Sequence, residues 1–158
     1  MGYQRLCLTH HDTDVAGFDF AAVLRRGDVV LLSGRLGAGK TTFVQGVARA
    51  LGVAERVTSP TFTMVRPHAA HNDLGIVTVH HADVYRVTTL GEILDLDLGE
   101  LVEEHGVALI EWGELAASIF GREVLTVLFG VDDDDQRSLV VDGDIDDARA
   151  RALEAWAS

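Results

Sequence analysis

The stretch Gly34-Arg35-Leu36-Gly37-Ala38-Gly39-Lys40-Thr41 decides how this chain of 158 residues folds. It fits the pattern G-x-x-x-x-G-K-[ST] at every position. The apolar run 28–33 before it predicts a strand, and residues 40–51 after it predict a helix that stops at Gly52. A phosphate-binding loop needs this context of strand, loop and helix. We therefore expect a loop that grips the phosphates of a nucleoside triphosphate, ATP with magnesium.

Each position of this loop has a physical reason. Glycines let the backbone curl so that successive N–H groups point at phosphate oxygens, and the positive end of the following helix adds to the attraction. Lys40 should neutralise the β- and γ-phosphates, and it is the only lysine in the chain. Thr41 should place its hydroxyl on magnesium, and Thr42 suits an α-phosphate oxygen. The predicted cofactor-binding residues are Gly37, Ala38, Gly39, Lys40, Thr41 and Thr42.

A phosphate loop also needs a carboxylate at the end of a neighbouring strand, to hold magnesium or its waters. Glu111 ends the apolar run 107–111 and is the predicted metal ligand beside Thr41. Trp112, which follows it, either covers the nucleotide or a partner surface or, as we favour, packs against the strand.

A second polar cluster, His81-Ala82-Asp83-Val84-Tyr85-Arg86, follows another predicted strand. Asp83 could act as the base that orients water against the γ-phosphate, or it could share magnesium with Glu111. Arg86 could balance phosphate charge or pair with Asp83. The spacing leaves these roles open, and the predicted catalytic residues are Asp83, Lys40 and Glu111.

Two further segments have competing interpretations. Residues 59–63, Ser-Pro-Thr-Phe-Thr, could offer a hydroxyl to the γ-phosphate or its magnesium, or could be a turn that leads into a strand. The histidines could suggest zinc, but the only cysteine, Cys7, is remote and no familiar ligand spacing appears. The histidines concerned are His68, His71, His80 and His81.

Length, composition and charge narrow the class of protein. A chain of this length with 47% hydrophobic residues can build one core, so we expect one domain over residues 1–158. The single cysteine, Cys7, reads as a core residue, and no apolar run has the ~18 residues of a membrane span. We expect a cytoplasmic protein that neither spans nor binds a membrane. A net charge of −12 disfavours direct binding of RNA or DNA.

Strands that alternate with helices predict an α/β fold, a P-loop NTPase domain with a mixed, centrally parallel sheet flanked by helices. Residues 124–129 and 138–141 flank an acidic turn and predict an antiparallel hairpin. The aspartates 132–135 in that turn read as a solvated loop. The other predicted strands are 5–8, 28–33, 76–80 and 107–111. The predicted helices are 14–26 and 40–51, with one or two more in 90–105.

Four motifs together closely resemble the bacterial TsaE family, and the resemblance runs from the first strand to Arg137. These motifs are the loop 34–42, Ser59-Pro60-Thr61-Phe62-Thr63, His81-Ala82-Asp83-Val84-Tyr85-Arg86 and Ile110-Glu111-Trp112. The resemblance implies the ATPase of the machinery that adds a threonylcarbamoyl group to the adenosine next to the anticodon of tRNA. By position, the family's magnesium ligands fall on Thr41 and Glu111, and its acidic residue required for hydrolysis falls on Asp83.

The resemblance also implies partners. In the family the ATPase works with TsaD and TsaB, and TsaD transfers the carbamoyl group, so contact with tRNA would be indirect. The chain offers little material for a lid over the phosphates, so we expect slow hydrolysis alone and faster hydrolysis with the partners. The chain departs from the family's pattern at two places. Arg35 stands where the family often has an acidic residue, and Pro67-His68 stands where it often has an aromatic residue. Both departures concern contacts with partners and not phosphate binding. The alternatives are a small-molecule or nucleotide kinase and a switch that binds nucleotide without appreciable hydrolysis.

Overall fold

The computed structural model describes residues 2–35, 37–58, 65–84, 102, 105–111, 124–143 and 145–158. Its strands are β1 (Tyr3–Cys7), β2 (Val29–Ser33), β3 (Val65–Ala69), β4 (Thr78–Asp83), β5 (Gly106–Glu111), β6 (Leu125–Val131) and β7 (Arg137–Gly143). Its helices are α1 (His10–Phe20), which a 3-10 turn extends over Ala21–Val23, α2 (Lys40–Ala50) and α3 (Asp147–Ala157). None of the helices within these ranges is long and apolar enough to cross a membrane.

All seven strands belong to one sheet in the order β1-β7-β6-β2-β5-β4-β3. Strands β4, β5, β2 and β6 are parallel, whereas β7, β1 and β3 run antiparallel to their neighbours. Every residue of β5 is buried, as is typical of a parallel strand covered on both faces. The predicted mixed sheet with a parallel centre is confirmed, and so is the hairpin of β6 and β7.

Helix α1 begins four residues earlier than the sequence pattern predicted. The Thr9 hydroxyl accepts a hydrogen bond from the Asp12 N–H at 3.1 Å, and the Asp12 carboxylate accepts one from the Thr9 N–H at 3.1 Å. This reciprocal capping satisfies two N–H groups of the first turn and sets the start of the helix. The prediction of 14–26 was wrong at both ends because it followed only the apolar residues from Val15 onward.

Two elements were not predicted from the sequence. Strand β3 contains Pro67, and it lies at an edge of the sheet, where a missing N–H removes no ladder hydrogen bond. Helix α3 is capped by Asp146, whose carboxylate accepts from the Arg149 N–H at 2.8 Å. Nearly all of the predicted helical segment 90–105 lies outside the described residues.

Helices α1 and α2 cross at backbone contact. A Cβ atom at Gly17 would lie 2.1 Å from the Phe43 carbonyl oxygen, and one at Gly46 would lie 2.1 Å from the Asp14 carbonyl oxygen. Glycine alone fits at both positions, so α1 is docked closely against the helix that follows the phosphate loop.

An aromatic cluster fills the core between the three helices and one face of the sheet. Phe43 contacts Phe20 at 5.3 Å between ring centroids and Phe129 at 5.5 Å, and Trp156 of α3 contacts Phe20 at 5.9 Å. The Trp156 indole N–H donates to the Ala16 carbonyl at 2.9 Å, so its polar atom is also satisfied. The core therefore joins α3, α1 and α2 to the strands beneath the phosphate loop.

Candidate functional site

The phosphate loop lies at the carboxyl ends of the parallel strands, between the end of β2 and the start of α2. Gly39 directly precedes α2 with a φ of 103°, a left-handed conformation that favours glycine. Among the described residues no side chain caps α2. The positive end of this helix attracts an anionic ligand, to which N–H groups of the first turn can donate.

Lys40 is folded back on the loop to which it belongs. Its Nζ donates to the Gly34 carbonyl at 2.5 Å and to the Arg35 carbonyl at 3.2 Å, and only 4% of the residue is exposed. The Ala38 N–H also donates to the Arg35 carbonyl, at 3.1 Å. The ammonium group is thus buried against neutral carbonyls, where a phosphate would be a stronger partner.

The predicted metal ligands are in contact. The Thr41 hydroxyl lies 3.1 Å from each carboxylate oxygen of Glu111, which ends the neighbouring strand β5. Glu111 is only 3% exposed, so the hydroxyl provides part of the hydrogen bonding that a buried carboxylate needs.

His81 is a second partner of the same carboxylate. Its Nε2 lies against Oε2 of Glu111, and the ring is fully buried in β4. An ionised carboxylate only accepts hydrogen bonds, so Nε2 is the donor when Glu111 is ionised. The sequence had suggested His81 only as part of a polar cluster or a zinc site. The structure gives it a different place, beside Glu111.

Thr41 and Glu111 present oxygen atoms of the kind that magnesium binds. Mg²⁺ prefers oxygen ligands at 2.0–2.1 Å in octahedral geometry, so two adjacent ligands are separated by about 3 Å. The 3.1 Å between the Thr41 hydroxyl and the Glu111 oxygens matches this separation. The Thr41 hydroxyl on helix α2 and the Glu111 carboxylate at the end of β5 are therefore spaced as two adjacent ligands of a divalent cation would be.

Asp83 lies beside Glu111 at the ends of adjacent parallel strands. The two residues are in register across β4 and β5, and the Val84 N–H donates to the Glu111 carbonyl at 3.2 Å. Asp83 is 9% exposed. The structure thus brings two carboxylates to the same edge of the sheet as the phosphate loop, as predicted. Which role Asp83 has stays a prediction.

Several predicted residues lie outside the described part of the chain. These are Leu36, the segment 59–63, Tyr85, Arg86 and Trp112. The zinc alternative finds no support: within the described ranges no three His, Cys, Asp or Glu side chains come together as a metal site. His68 instead contacts the Glu55 carboxylate, with 2.5 Å between Nδ1 and Oε1.

Two residues next to the loop were not predicted from the sequence. Thr13 of α1 is fully buried, and a Cβ atom at Gly39 would lie 3.2 Å from its methyl group. Arg137, at the start of β7, donates to the Gly37 carbonyl at 3.3 Å. No spacing in the sequence signals either contact, because both connect the loop to distant parts of the chain. Cys7 is fully buried, as predicted, and burial raises the pKa of its thiol.

A strand, a phosphate loop and a helix, with a carboxylate on the adjacent parallel strand, define the P-loop NTPase fold. The family model described as "Threonylcarbamoyl adenosine biosynthesis protein TsaE" matches residues 8–139. The chain belongs to the TsaE family and has a role in tRNA threonylcarbamoyladenosine biosynthesis.

Similar proteins agree with this family. The chain is 39% identical to a tRNA threonylcarbamoyladenosine biosynthesis protein TsaE from Treponema pallidum, over 85% of this chain and 98% of the relative. It is 41% identical to the Bacillus subtilis protein of the same name, over 75% of this chain and 72% of the relative. A crystal structure of Bacillus subtilis YdiB superposes with a TM-score of 0.71 at 29% identity, covering 99% of this chain and 96% of that one.

Proposed function

We propose that this chain is the ATP-binding and ATP-hydrolysing subunit of the tRNA threonylcarbamoyladenosine machinery, acting in the cytoplasm with TsaD and TsaB. The observation that carries the proposal is the contact of the Thr41 hydroxyl with both oxygens of Glu111 at 3.1 Å. It joins the first turn of α2 to the carboxylate of β5, the strand beside β2 in the sheet. Mg-nucleotide sites require this arrangement.

Each side chain of the site has a part in this proposal. Lys40 leaves the Gly34 and Arg35 carbonyls and contacts the β- and γ-phosphates, while N–H groups of the loop hold the remaining oxygens. Thr41 and Glu111 would hold magnesium, which would neutralise charge that develops on the phosphates. Asp83 either accepts a proton from the attacking water or supports the metal site.

Charge supports the proposed division of labour with partners. The chain has a net charge of −12, which repels a nucleic acid backbone, so tRNA is reached through the other subunits. TsaD and TsaB are the partners that the family resemblance implies. A partner surface that covers the loop would exclude water and fix the geometry of attack, so hydrolysis should be slow alone and faster in the assembly.

The proposal is tested by phosphate release from ATP at matched magnesium and salt, with this chain alone, with TsaD, with TsaB and with both. We expect a low rate alone and a higher rate with both partners. Lys40→Ala removes the lysine of the loop and should abolish phosphate release. Arg49→Ala is its matched control, because Arg49 is a cation near the opposite end of the same helix, paired with Asp14 at 2.7 Å. A rate that is high alone and indifferent to both partners would refute the proposed coupling and favour an autonomous enzyme such as a kinase.

A further inference from the structure

One buried arginine joins the phosphate loop to a distant hairpin turn. The guanidinium of Arg137 donates from Nη2 to the Gly37 carbonyl at 3.3 Å and from Nη1 to the Asp135 carbonyl at 2.8 Å. Nη1 also lies 3.3 Å from the Asp135 carboxylate. Arg137 therefore connects the hairpin turn beside it to a carbonyl that is 100 residues away from Arg137 in the sequence.

The burial of Arg137 indicates that it does more than fill space. The residue is 9% exposed, and its Nε has no hydrogen-bond partner among the described residues. Taking a guanidinium out of water is costly unless its hydrogen bonds compensate. Its carboxylate partner among the described residues, Asp135, has 78% of its side chain exposed, so the ion pair contributes little. The two main-chain carbonyls are thus its principal partners.

The two ends of this bridge are the turn between β6 and β7 and the Gly37 carbonyl. In the turn, the Asp132 carboxylate accepts from the Asp134 and Gln136 N–H groups, both at 2.9 Å, so local hydrogen bonds order it. At the other end, Gly37 and Gly39 have φ angles of 82° and 103°, and glycine has more backbone conformations to lose than other residues, so a restraint on Gly37 offsets part of the ordering cost of binding phosphate. The turn is therefore the anchor, and the Gly37 peptide is the group that the bridge restrains.

We propose that Arg137 is a positioning residue for the phosphate loop, which it holds in a nucleotide-receptive conformation by restraining the peptide group between Gly37 and Ala38. The inference rests on the proposed ATP site and extends it to a residue beyond the motif. Preorganising a loop lowers the ordering cost of binding, so the bridge should raise nucleotide affinity rather than alter the chemistry of hydrolysis. A change in the turn between β6 and β7 should therefore also change the conformation of the phosphate loop.

The first measurement needs no nucleotide. Amide hydrogen exchange over residues 34–42 should be faster in Arg137→Ala than in the wild type, because the loop loses its restraint. Arg5→Ala is the matched control. Arg5 likewise bonds one carbonyl, that of Trp156 at 3.0 Å, and one carboxylate, that of Asp19 at 2.9 Å, away from the loop. Exchange in the loop should be unchanged in the control.

The second measurement is the affinity for ATP with magnesium, by calorimetry on the folded variants. We expect Arg137→Ala to raise the Kd by about tenfold, the loss expected for one hydrogen bond from a charged group. Arg137→Lys should recover part of it, since an ammonium can reach one carbonyl but cannot fork between two. Added methylguanidinium should restore affinity to the alanine variant and not to Arg5→Ala. Asp135→Asn keeps the carbonyl acceptor and should have a smaller effect.

The outcomes separate the inference from the proposed function. Unchanged loop exchange and unchanged Kd in Arg137→Ala would overturn the inference, as would equal changes in Arg5→Ala. If the alanine variant does not fold, Arg137→Lys takes its place in both measurements, and wild-type behaviour would then count against the bridge. A wild-type protein that binds no ATP would defeat the proposed function, while loop exchange would still decide whether Arg137 restrains the loop.

Discussion

The two ends of the parallel strands use charged side chains in opposite ways. At the amino ends, Arg149 donates to the Asp28 carboxylate at 2.9 Å, and Arg25 forms a two-pronged pair with Asp146 at 2.6 and 2.8 Å. Each of these cations meets an anion of the protein itself. At the carboxyl ends, Lys40 rests on main-chain carbonyls. There the cation lies on the phosphate loop itself, where the proposed function places the phosphates of ATP.

Carboxylates show the same contrast. Glu111 and Asp83 are in register at the carboxyl ends of the adjacent strands β5 and β4. The two acidic residues are therefore neighbours, and both are largely buried. Like charges placed together cost free energy of folding unless a cation joins them. Arginine–carboxylate pairs are typical of a structural role, and buried like-charged neighbours are typical of a binding site. Four predictions follow from this difference, in order of decreasing effect.

The largest effect is expected at Lys40. Lys40→Ala removes the only lysine of the chain and the charge that offsets the β- and γ-phosphates, so ATP binding should be lost. Calorimetry with ATP and magnesium measures it, with Arg49→Ala as the control. Affinity equal to that of the wild type would remove the loop from the proposed function.

The carboxylates should affect turnover more than folding. Asp83→Asn and Glu111→Gln keep the shape of each side chain but remove a negative charge from the metal and water end of the site. We expect hydrolysis to fall on the order of a hundredfold in each while thermal unfolding stays cooperative. Single-turnover phosphate release compared with circular dichroism separates the two effects. Normal turnover in both variants would exclude these groups from the mechanism.

At the opposite end, Arg149 should matter for stability alone. Its side chain is 7% exposed and that of Asp28 is 16% exposed, so Arg149→Ala leaves a mostly buried carboxylate without its cation. The free energy of unfolding should fall by about 1–3 kcal/mol, as urea denaturation would show, with no change in the Kd for ATP. A higher Kd would mean that side chains at the amino ends of the strands also affect ATP binding at the carboxyl ends.

The smallest effect is expected at Asp146. Hydrogen bonds from Arg25, and then from the Arg149 N–H, hold the pKa of the Asp146 carboxyl well below its ordinary value of 3.8. The folded state thus prefers the carboxylate, so this contribution to stability is present above pH 3.8 and is lost as the pH falls. Asp146→Asn should lower the melting temperature less than Arg149→Ala does, because the pair is exposed. The difference from wild type should disappear in acid; a constant difference would contradict the assignment.

Local patterns predicted the features that depend on neighbouring residues. Strand β2, the loop and helix α2 are consecutive, so one motif and its flanks determine them. Glu111 was predicted to meet Thr41 because both follow strands whose carboxyl ends share an edge. The register of β4 with β5 then brings Asp83 beside it, as the prediction of a common site required.

Other features depend on contacts that no local pattern contains. Strand β3 was missed because Pro67 disfavours a strand unless its position at the sheet edge is known. The bridge from Arg137 to Gly37 and the packing of Thr13 on Gly39 depend on which elements become neighbours in space. Helix α3 has a capping residue in Asp146 and is rich in alanine, so local signals for a helix were present and were missed. That its large apolar residues Leu153 and Trp156 pack on the core depends on which elements lie next to it.

The folded-back Lys40 has a practical consequence for chemical labelling. An amine-directed reagent has one side chain to modify in this chain, besides the terminal amine. That side chain is bound to the Gly34 and Arg35 carbonyls, so it should react slowly, and any treatment that opens the loop should accelerate the reaction. A reactive acyl phosphate of a nucleotide would deliver its acyl group to the same atom. One mass increment in an intact-protein spectrum would then report on a single site, without interference from other lysines.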